Sequence, residues 1–377
     1  MAATTAPVTP SVLAWAVNED GRDLQTLSEA LDISPDTLDA WAVGEASPSS
    51  GDVSKLAKLL KRPRALFFLP HPPEAATLPP SFRHPPGDSR EVSPETRRAV
   101  RRARRVQEAV AWVYRDDPPV EMPKTTTADD PEVSAATARE WLGITANEQA
   151  GWSSDYDALY AWRASLDQNR VLVFALDIGQ GRIRGFSAWD DRAPLIAINT
   201  SAVNPAARSF TLMHELGHLF IRQDAACVEA AGPLAGAEVE RWCEQFGAAV
   251  LMPGADARRW ARERGIGPAS ADIDDVSVMM RRFRVSARAA ALRLITLGYA
   301  SRPLYAQVLQ VFVPKPPPSD RKMSNPPRAT MRRRQFGDRV LKSVLNELPP
   351  RDALSVLRLE VEDVRTLADE VPGVQAI

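Results

Sequence analysis

The sequence predicts a mostly helical α+β protein, with a small β-sheet packed on one helix and an all-α domain at the N-terminus. Two short runs rich in β-branched residues, 170–176 and 193–199, are typical of buried strands, and 185–189 is a candidate third strand. A helical run at 204–220 directly follows these strands. Apolar residues recur at helical spacing through most of the remaining chain, which predicts that helices make up the rest of the fold.

The composition excludes several classes of protein. The chain has 377 residues, a formal net charge of -1 and only two cysteines. Balanced charge predicts no general attraction of the whole chain to nucleic acid or to an acidic membrane surface. No apolar run approaches the roughly 20 residues that cross a bilayer, and the first residues lack the pattern of a secretory signal. Together with the absence of a disulfide framework, this predicts a cytoplasmic protein without membrane attachment.

Proline clusters predict the domain boundaries. Prolines are concentrated around 70–86 and 314–327, and proline-rich stretches favour extended linkers because the ring fixes φ and removes a backbone donor. The sequence therefore predicts an N-terminal helical domain at 1–69, a linker at 70–92, a main domain at 93–313, a linker at 314–330 and a C-terminal helical segment at 331–377.

The N-terminal domain contains four short helical stretches whose spacing resembles the XRE-type helix-turn-helix of bacterial repressors. Residues 1–60 carry nine acidic and three basic side chains, and the recognition helix expected at 34–43 has Asp36 and Asp39 but no lysine or arginine. Duplex binding needs several cations that neutralise phosphates. The charge therefore argues against DNA binding by this domain and favours a helical docking module.

A basic amphipathic helix is predicted at 93–115. Its broad basic face consists of six arginines: Arg97, Arg98, Arg101, Arg102, Arg104 and Arg105. The face could bind nucleic acid or an acidic partner, or it could be a solvated surface neutralised by the acidic N-terminal domain.

The motif that indicates chemistry lies inside the helical run at 204–220. His214 and His218 are one helical turn apart, so both imidazoles project from one face and can reach the same metal ion. Glu215 follows the first histidine and can reach a metal-bound water, from which it would accept a proton as a general base. The spacing therefore predicts a site for one Zn²⁺ per chain.

A third protein ligand is needed, because a catalytic zinc site keeps three protein ligands and one open position. No histidine follows the motif, so a carboxylate is expected, and the helical stretch at 237–250 offers Glu238, Glu240 and Glu244. Glu240 and Glu244 share one helix face. Either could bind zinc while the other orients a histidine ligand by a hydrogen bond to its second ring nitrogen.

The two helices together resemble a known family. The run FTLMHELGHLF at 210–220, followed by EVERWCEQFGAAVLMP at 238–253, is similar to the ImmA/IrrE family of bacterial metallopeptidases. On this pattern Glu240 matches the family's ligand glutamate. Cys243 and Glu244 depart from it, because they stand where the family usually has Ala-Asn.

The resemblance implies a gluzincin-like zinc endopeptidase in which His214, His218 and Glu240 bind the metal and Glu215 is the catalytic base. Well-known members cleave a helix-turn-helix repressor, which implies a regulatory protease that relieves repression under stress and whose partner is that repressor. The substrate strand would add to the edge of the sheet, and the strand at 193–199 is the candidate edge.

Several features leave alternatives open. Three tyrosines are candidates for the group that stabilises the oxyanion of the reaction: Tyr299, Tyr156 and Tyr160. Cys227 and Cys243 are expected to be buried apolar residues, with zinc ligation or a redox switch as the alternative. Apolar spacing predicts two short amphipathic helices in the C-terminal segment. These helices could dock a partner, pair two chains as a homodimer or cap the core.

Two other functions remain as alternatives to a peptidase. One is a non-catalytic DNA-binding transcription regulator, or an antitoxin-like partner, whose zinc site is structural or dead. The other is a zinc hydrolase that acts on something other than a peptide. The glutamate inside the motif favours an enzyme, because a structural zinc site needs no general base at that position.

Overall fold

The computed structural model describes residues 5–73, 93–179, 183–201, 204–222, 238–313 and 326–375, and the backbone of 225–228. The chain divides into two compact units, Met1–Arg102 and Ala103–Ile377. Most of the two predicted linkers, namely 74–92 and 314–325, lies outside the described residues. The domain boundaries therefore stay predictions.

The first unit is helical, as predicted. Its elements are α1 (Pro10–Asn18), α2 (Leu24–Leu31), α3 (Pro35–Val43), α4 (Ser50–Leu59), a 3₁₀ turn (Arg64–Phe68) and the start of α5 (Pro94–Val113). Side-chain caps begin several helices, since Asp23 and Ser34 accept hydrogen bonds from backbone amides at the starts of α2 and α3. Leucines from successive helices, including Leu13, Leu27 and Leu38, form a fully buried core.

The arginine face of α5 is covered rather than solvated. Five of its six arginines are partly buried, and Arg105 alone among them is exposed. The Arg101 guanidinium donates to the Glu19 carbonyl at 3.3 Å. Burial, together with the nearby Arg62, lowers the pKa of Arg101 to about 10. Within the first unit, Arg101 of this face therefore packs against the end of α1.

The second unit combines helices with one mixed sheet, which confirms the predicted α+β class. Its helices before the C-terminal segment are α6 (Pro131–Leu142), α7 (Ala146–Ala150), α8 (Asp155–Gln168), α9 (Pro205–Phe220), α10 (Glu238–Leu251), α11 (Gly254–Glu263), α12 (Ile273–Phe283), α13 (Ala287–Thr296) and α14 (Arg302–Val311). Its strands are β1 (Leu172–Leu176), β2 (Ile183–Ala188), β3 (Leu195–Asn199) and β4 (Ala225–Val228).

The strand order in the sheet is β1-β3-β2-β4. Strand β3 pairs in parallel with β1 and antiparallel with β2, and β2 pairs antiparallel with β4. Helix α9 packs on the sheet and on α8 and α10. It is therefore the central helix of this unit, with 12 of its 16 residues buried.

The C-terminal segment forms four helices where the sequence predicted two: α15 (Arg328–Phe336), α16 (Asp338–Glu347), α17 (Pro350–Leu357) and α18 (Val361–Glu370). The first of them begins inside the predicted linker at 314–330. It packs on β1, where the rings of Phe174 and Phe336 meet edge to face at 4.9 Å. The segment therefore caps the core of the second unit.

Among the residues that the structure describes, no helix is both long and apolar enough to cross a membrane.

Candidate metal centre

Helix α9 presents the two motif histidines on one face. The helix begins where Asn204 Oδ1 accepts a hydrogen bond from the Ala207 amide at 2.8 Å and Pro205 takes the first helical position. His214 and His218 are 2% and 1% exposed, so both imidazoles lie inside the protein rather than on a solvated helix surface.

Three potential metal-binding atoms converge at this point. The Nε2 atoms of His214 and His218 are 3.1 Å apart. The Glu240 carboxylate on α10 approaches them with Oε2 at 3.3 Å from His214 and Oε1 at 3.4 Å from His218. In a tetrahedral zinc site with bonds of roughly 2.0–2.1 Å, neighbouring ligand atoms are about 3.3 Å apart. The three side chains therefore fit a tetrahedral metal ion, and the structure brings together the residues predicted as ligands.

The charges of these groups suit metal binding. Burial lowers the pKa of His218, and its other neighbours do not reverse that shift, so its imidazole stays neutral at neutral pH. Burial acts to raise the pKa of Glu240, but its contacts with the two histidines outweigh burial and hold that pKa well below its usual range. A neutral imidazole and an ionised carboxylate are the forms that bind metals.

Two glycines bring α10 close enough to α9 for Glu240 to reach the histidines. A Cβ on Gly247 would lie 3.1 Å from the backbone nitrogen of His214. A Cβ on Gly217 would lie 3.1 Å from Phe246 and 3.2 Å from the sulfur of Cys243. Each glycine thus packs against the opposite helix, and larger side chains would hold the helices apart.

Buried side chains from three other helices hold the far end of α10. They donate to its last backbone carbonyls, which lack partners within the helix: Arg139 to Val250 at 2.7 Å, Gln149 to Leu251 at 2.8 Å and Arg293 to Met252 at 2.9 Å. Arg293 also pairs with Glu132 at 2.5 Å. These contacts fix the position of the helix that carries Glu240.

Glu215 lies next to His214 on α9, where the helix packs on the sheet. Its side chain is fully buried, and its Oε2 accepts a hydrogen bond of 2.7 Å from the Ser187 hydroxyl on β2. Gly185 on the same strand lets the sheet approach, since a Cβ there would lie 2.6 Å from Thr211 on α9. Ser187 is not among the site residues predicted from the sequence. Its only signal was a pair of small residues two positions apart in a predicted strand, the spacing of one sheet face.

A comparison with known protein families agrees with this geometry. Residues 166–294 match the Peptidase_M78 family, described as the IrrE N-terminal-like domain. This segment belongs to that family. No match was found among curated proteins. The IrrE N-terminal-like segment contains β1 to β4, the motif helix α9 and all of α10, so the family resemblance read from the sequence is confirmed.

One expectation about the IrrE N-terminal-like sheet is wrong. The strand at 193–199 is not an edge, because β3 lies between β1 and β2. The outer side of β1 is bonded to arginines: Arg163 donates to the Val173 carbonyl at 2.9 Å, and Arg339 to the Val171 carbonyl at 3.4 Å. Sequence order could not reveal this arrangement, because β2 precedes β3 in the chain but lies beyond it in the sheet.

Glu244 lies one turn beyond Glu240 on α10 and is exposed to solvent. Partial desolvation raises the pKa of Glu244, and the Glu240 carboxylate adds to this effect. The nearby His214 acts in the opposite direction but does not reverse the shift. The group of three converging metal-binding atoms includes Glu240 and not Glu244. This observation resolves which of the two acids faces the histidines.

The three tyrosines named as oxyanion candidates lie outside the matched segment. Tyr156 and Tyr160 are 52% and 59% exposed on α8, where both are near Arg208 of α9. Tyr299 follows α13 and is half-buried against the core. Their role stays a prediction.

The two cysteines, Cys227 and Cys243, lie on β4 and α10. Cys243 is buried and packs at the α9–α10 crossing, as expected for an apolar cysteine. The side chain of Cys227 lies outside the described residues.

Proposed function

We propose that this protein is a zinc-dependent endopeptidase. The observation that carries the proposal is the convergence of two buried imidazoles and one carboxylate within 3.1–3.4 Å, one residue away from a buried glutamate in the same helix. The IrrE N-terminal-like segment, which belongs to a peptidase family, supports the same activity.

Zinc is the metal proposed because two imidazole nitrogens and one carboxylate oxygen are its usual donor set. His214, His218 and Glu240 would hold the ion. When bound there, zinc lowers the pKa of a water and polarises a peptide carbonyl.

In this mechanism Glu215 moves the protons. Its carboxylate accepts a proton from the attacking water and passes it to the nitrogen of the leaving amine, so that the peptide bond breaks and a water molecule is consumed. The burial of the histidines excludes bulk water from behind the reacting atoms, which strengthens electrostatic interactions in the site. Glu240 balances the charge of the metal.

The substrate strand is proposed to add on the β4 side of the sheet. Peptides that extend a sheet need an edge with backbone groups to bond. The β1 edge is bonded to Arg163 and Arg339 and covered by α15. Strand β4 is the opposite outer strand and directly follows α9 in the chain. This replaces the edge that was expected at 193–199.

The biological role proposed is regulatory cleavage of a transcriptional repressor in the cytoplasm. The resemblance of the motif helices to ImmA/IrrE peptidases supports this role, as does the helical N-terminal unit, whose sequence resembles a helix-turn-helix domain of repressors. The acidic side chains of α3 favour a docking function for that unit rather than duplex binding.

Co-expression tests this function. Wild-type protein and the Glu215→Gln variant are each produced with candidate helix-turn-helix repressors, and shortened repressor is detected by blotting. Wild type should cut a repressor, whereas Glu215→Gln should keep its zinc and lose cleavage by about 10²–10⁴-fold, because an amide cannot accept the water's proton.

Two controls separate the rival functions. A Glu140→Gln variant, which makes the same change at an exposed glutamate of α6, controls for handling and expression. If Glu215→Gln regulates transcription as well as wild type, or if the full-length protein binds a duplex at nanomolar concentration in moderate salt, the non-catalytic regulator is the better description.

A further inference from the structure

A hydrogen bond between the sheet and the motif helix holds the carboxylate of Glu215. The Ser187 hydroxyl donates to Glu215 Oε2 at 2.7 Å, and both side chains are fully buried. A buried carboxylate needs hydrogen-bond partners, because its oxygens lose their water on burial. Ser187 supplies one of these bonds from outside the motif helix.

The backbone that carries Ser187 is fixed on both sides. Ser187 pairs with Ile196 of β3 and with Ala225 of β4, so its strand is internal to the sheet. Gly185, two residues earlier on the same strand, lies close enough to α9 that a Cβ there would be 3.5 Å from Glu215 Cγ. The sheet therefore limits how far the Glu215 side chain can extend toward β2, and it also fixes the position of the Ser187 hydroxyl.

A free glutamate side chain rotates about three bonds, and a general base must hold its carboxylate within hydrogen-bond reach of the proton it accepts. A hydroxyl attached to a fixed strand restricts this rotation. A partner bond of this kind typically changes activity or metal affinity by about 10–100-fold when it is removed.

We propose that Ser187 is a positioning residue that aims the Glu215 carboxylate at the attacking water. This inference rests on the proposed peptidase function. Nothing in the HELGH motif marks Ser187, which lies 27 residues before the first motif histidine.

The test compares four variants with wild type. Ser187→Ala removes the hydroxyl, Glu215→Gln removes the base, and the double variant removes both. Ser209→Ala is the matched control: Ser209 is also fully buried, but its hydroxyl bonds to the Pro205 carbonyl within α9. Zinc content and thermal unfolding are measured for each protein, so that loss of fold or metal is detected separately.

Two readouts follow the position of Glu215. One is the cleavage rate of a repressor found by co-expression. The other is the affinity of the zinc-loaded protein for acetohydroxamic acid, which binds zinc through two oxygens and gives its proton to an adjacent carboxylate. The second readout requires no substrate.

Ser187→Ala should retain zinc, lose about 10–100-fold in kcat with little change in KM, and bind acetohydroxamic acid about tenfold more weakly. The double variant should be no weaker than Glu215→Gln alone, since a residue that acts through Glu215 has no effect once that carboxylate is gone. Ser209→Ala should match wild type in both readouts.

The inference is overturned if Ser187→Ala equals wild type in both readouts, or if its effect adds fully to that of Glu215→Gln. It is also overturned if the zinc-loaded wild type does not bind acetohydroxamic acid, since Glu215 would then not face the metal. If acetohydroxamic acid binding depends on Ser187 but no protein is cut, the peptidase function fails while the positioning role stands.

Discussion

Replacement of Gly247 by alanine should weaken zinc binding without touching a metal ligand. The added Cβ would lie 3.1 Å from the His214 nitrogen and 3.4 Å from its Cα. Ordinary contacts of this kind are about 3.4–4 Å, so α10 must move by a few tenths of an ångström, because the helix backbone opposite cannot rotate away. The same shift carries Glu240 away from the two imidazoles.

The expected change in the stability of the Gly247→Ala variant follows from two opposed effects. Alanine favours a helix over glycine by about 1 kcal/mol, whereas overpacking a tight core contact costs about 1–3 kcal/mol. The metal-free protein should therefore lose between about 0 and 2 kcal/mol. A metal site tolerates ligand displacements of only about 0.2 Å, so zinc affinity should fall more clearly, by about tenfold.

The assay measures zinc affinity by competition with a chelator, and urea unfolding of the metal-free protein. Gly51→Ala is the matched control, since Gly51 lies inside α4, is exposed, and its Cβ would meet nothing nearer than 3.5 Å. That variant should be stabilised by about 0.5–1 kcal/mol with unchanged zinc affinity. If Gly247→Ala also gains stability and binds zinc as wild type does, the helices do not depend on this close approach.

Two further predictions concern the helix that carries the carboxylate ligand. Glu240→Ala should abolish tight zinc binding whereas Glu244→Ala should retain it, as measured by metal analysis after dialysis; zinc loss only in the second variant would assign the ligand to Glu244. Arg293→Met should destabilise the protein by about 2–3 kcal/mol in urea unfolding, because the Met252 carbonyl loses a bond to a charged donor. An unfolding midpoint equal to that of wild type would show that this buried arginine does not fix the end of α10.

The hydrogen bond at Ser187 shows how a motif depends on residues far from it in sequence. The spacing of His214 and His218 places both imidazoles on one helix face, but it leaves the rotation of the Glu215 side chain open. A strand that comes earlier in the chain supplies the hydroxyl that restricts it. Activity in this site would therefore depend on the packing of β2 on α9 as well as on the motif itself.

Local sequence determined the helices and the histidine pair. Asn204 and Pro205 start α9 by capping chemistry, and the 3.6-residue period then places His214 and His218 on one face whatever surrounds them. The mostly helical α+β class followed in the same way, because apolar spacing and β-branched runs reflect local backbone preference. The assignment of Glu240 as ligand came instead from a family resemblance, since spacing alone left Glu244 equally eligible.

Tertiary structure decided what local spacing could not. The crossing of α9 and α10 at Gly217 and Gly247 brings the Glu240 carboxylate, and not that of Glu244, into the group with the two imidazoles. The place of β3 inside the sheet depends on hydrogen bonds between strands that are separated in the chain, so its role as an edge was wrongly predicted. Side-chain period and capping act over a few residues, whereas ligand choice, strand order and the Ser187 contact are set by packing between distant segments.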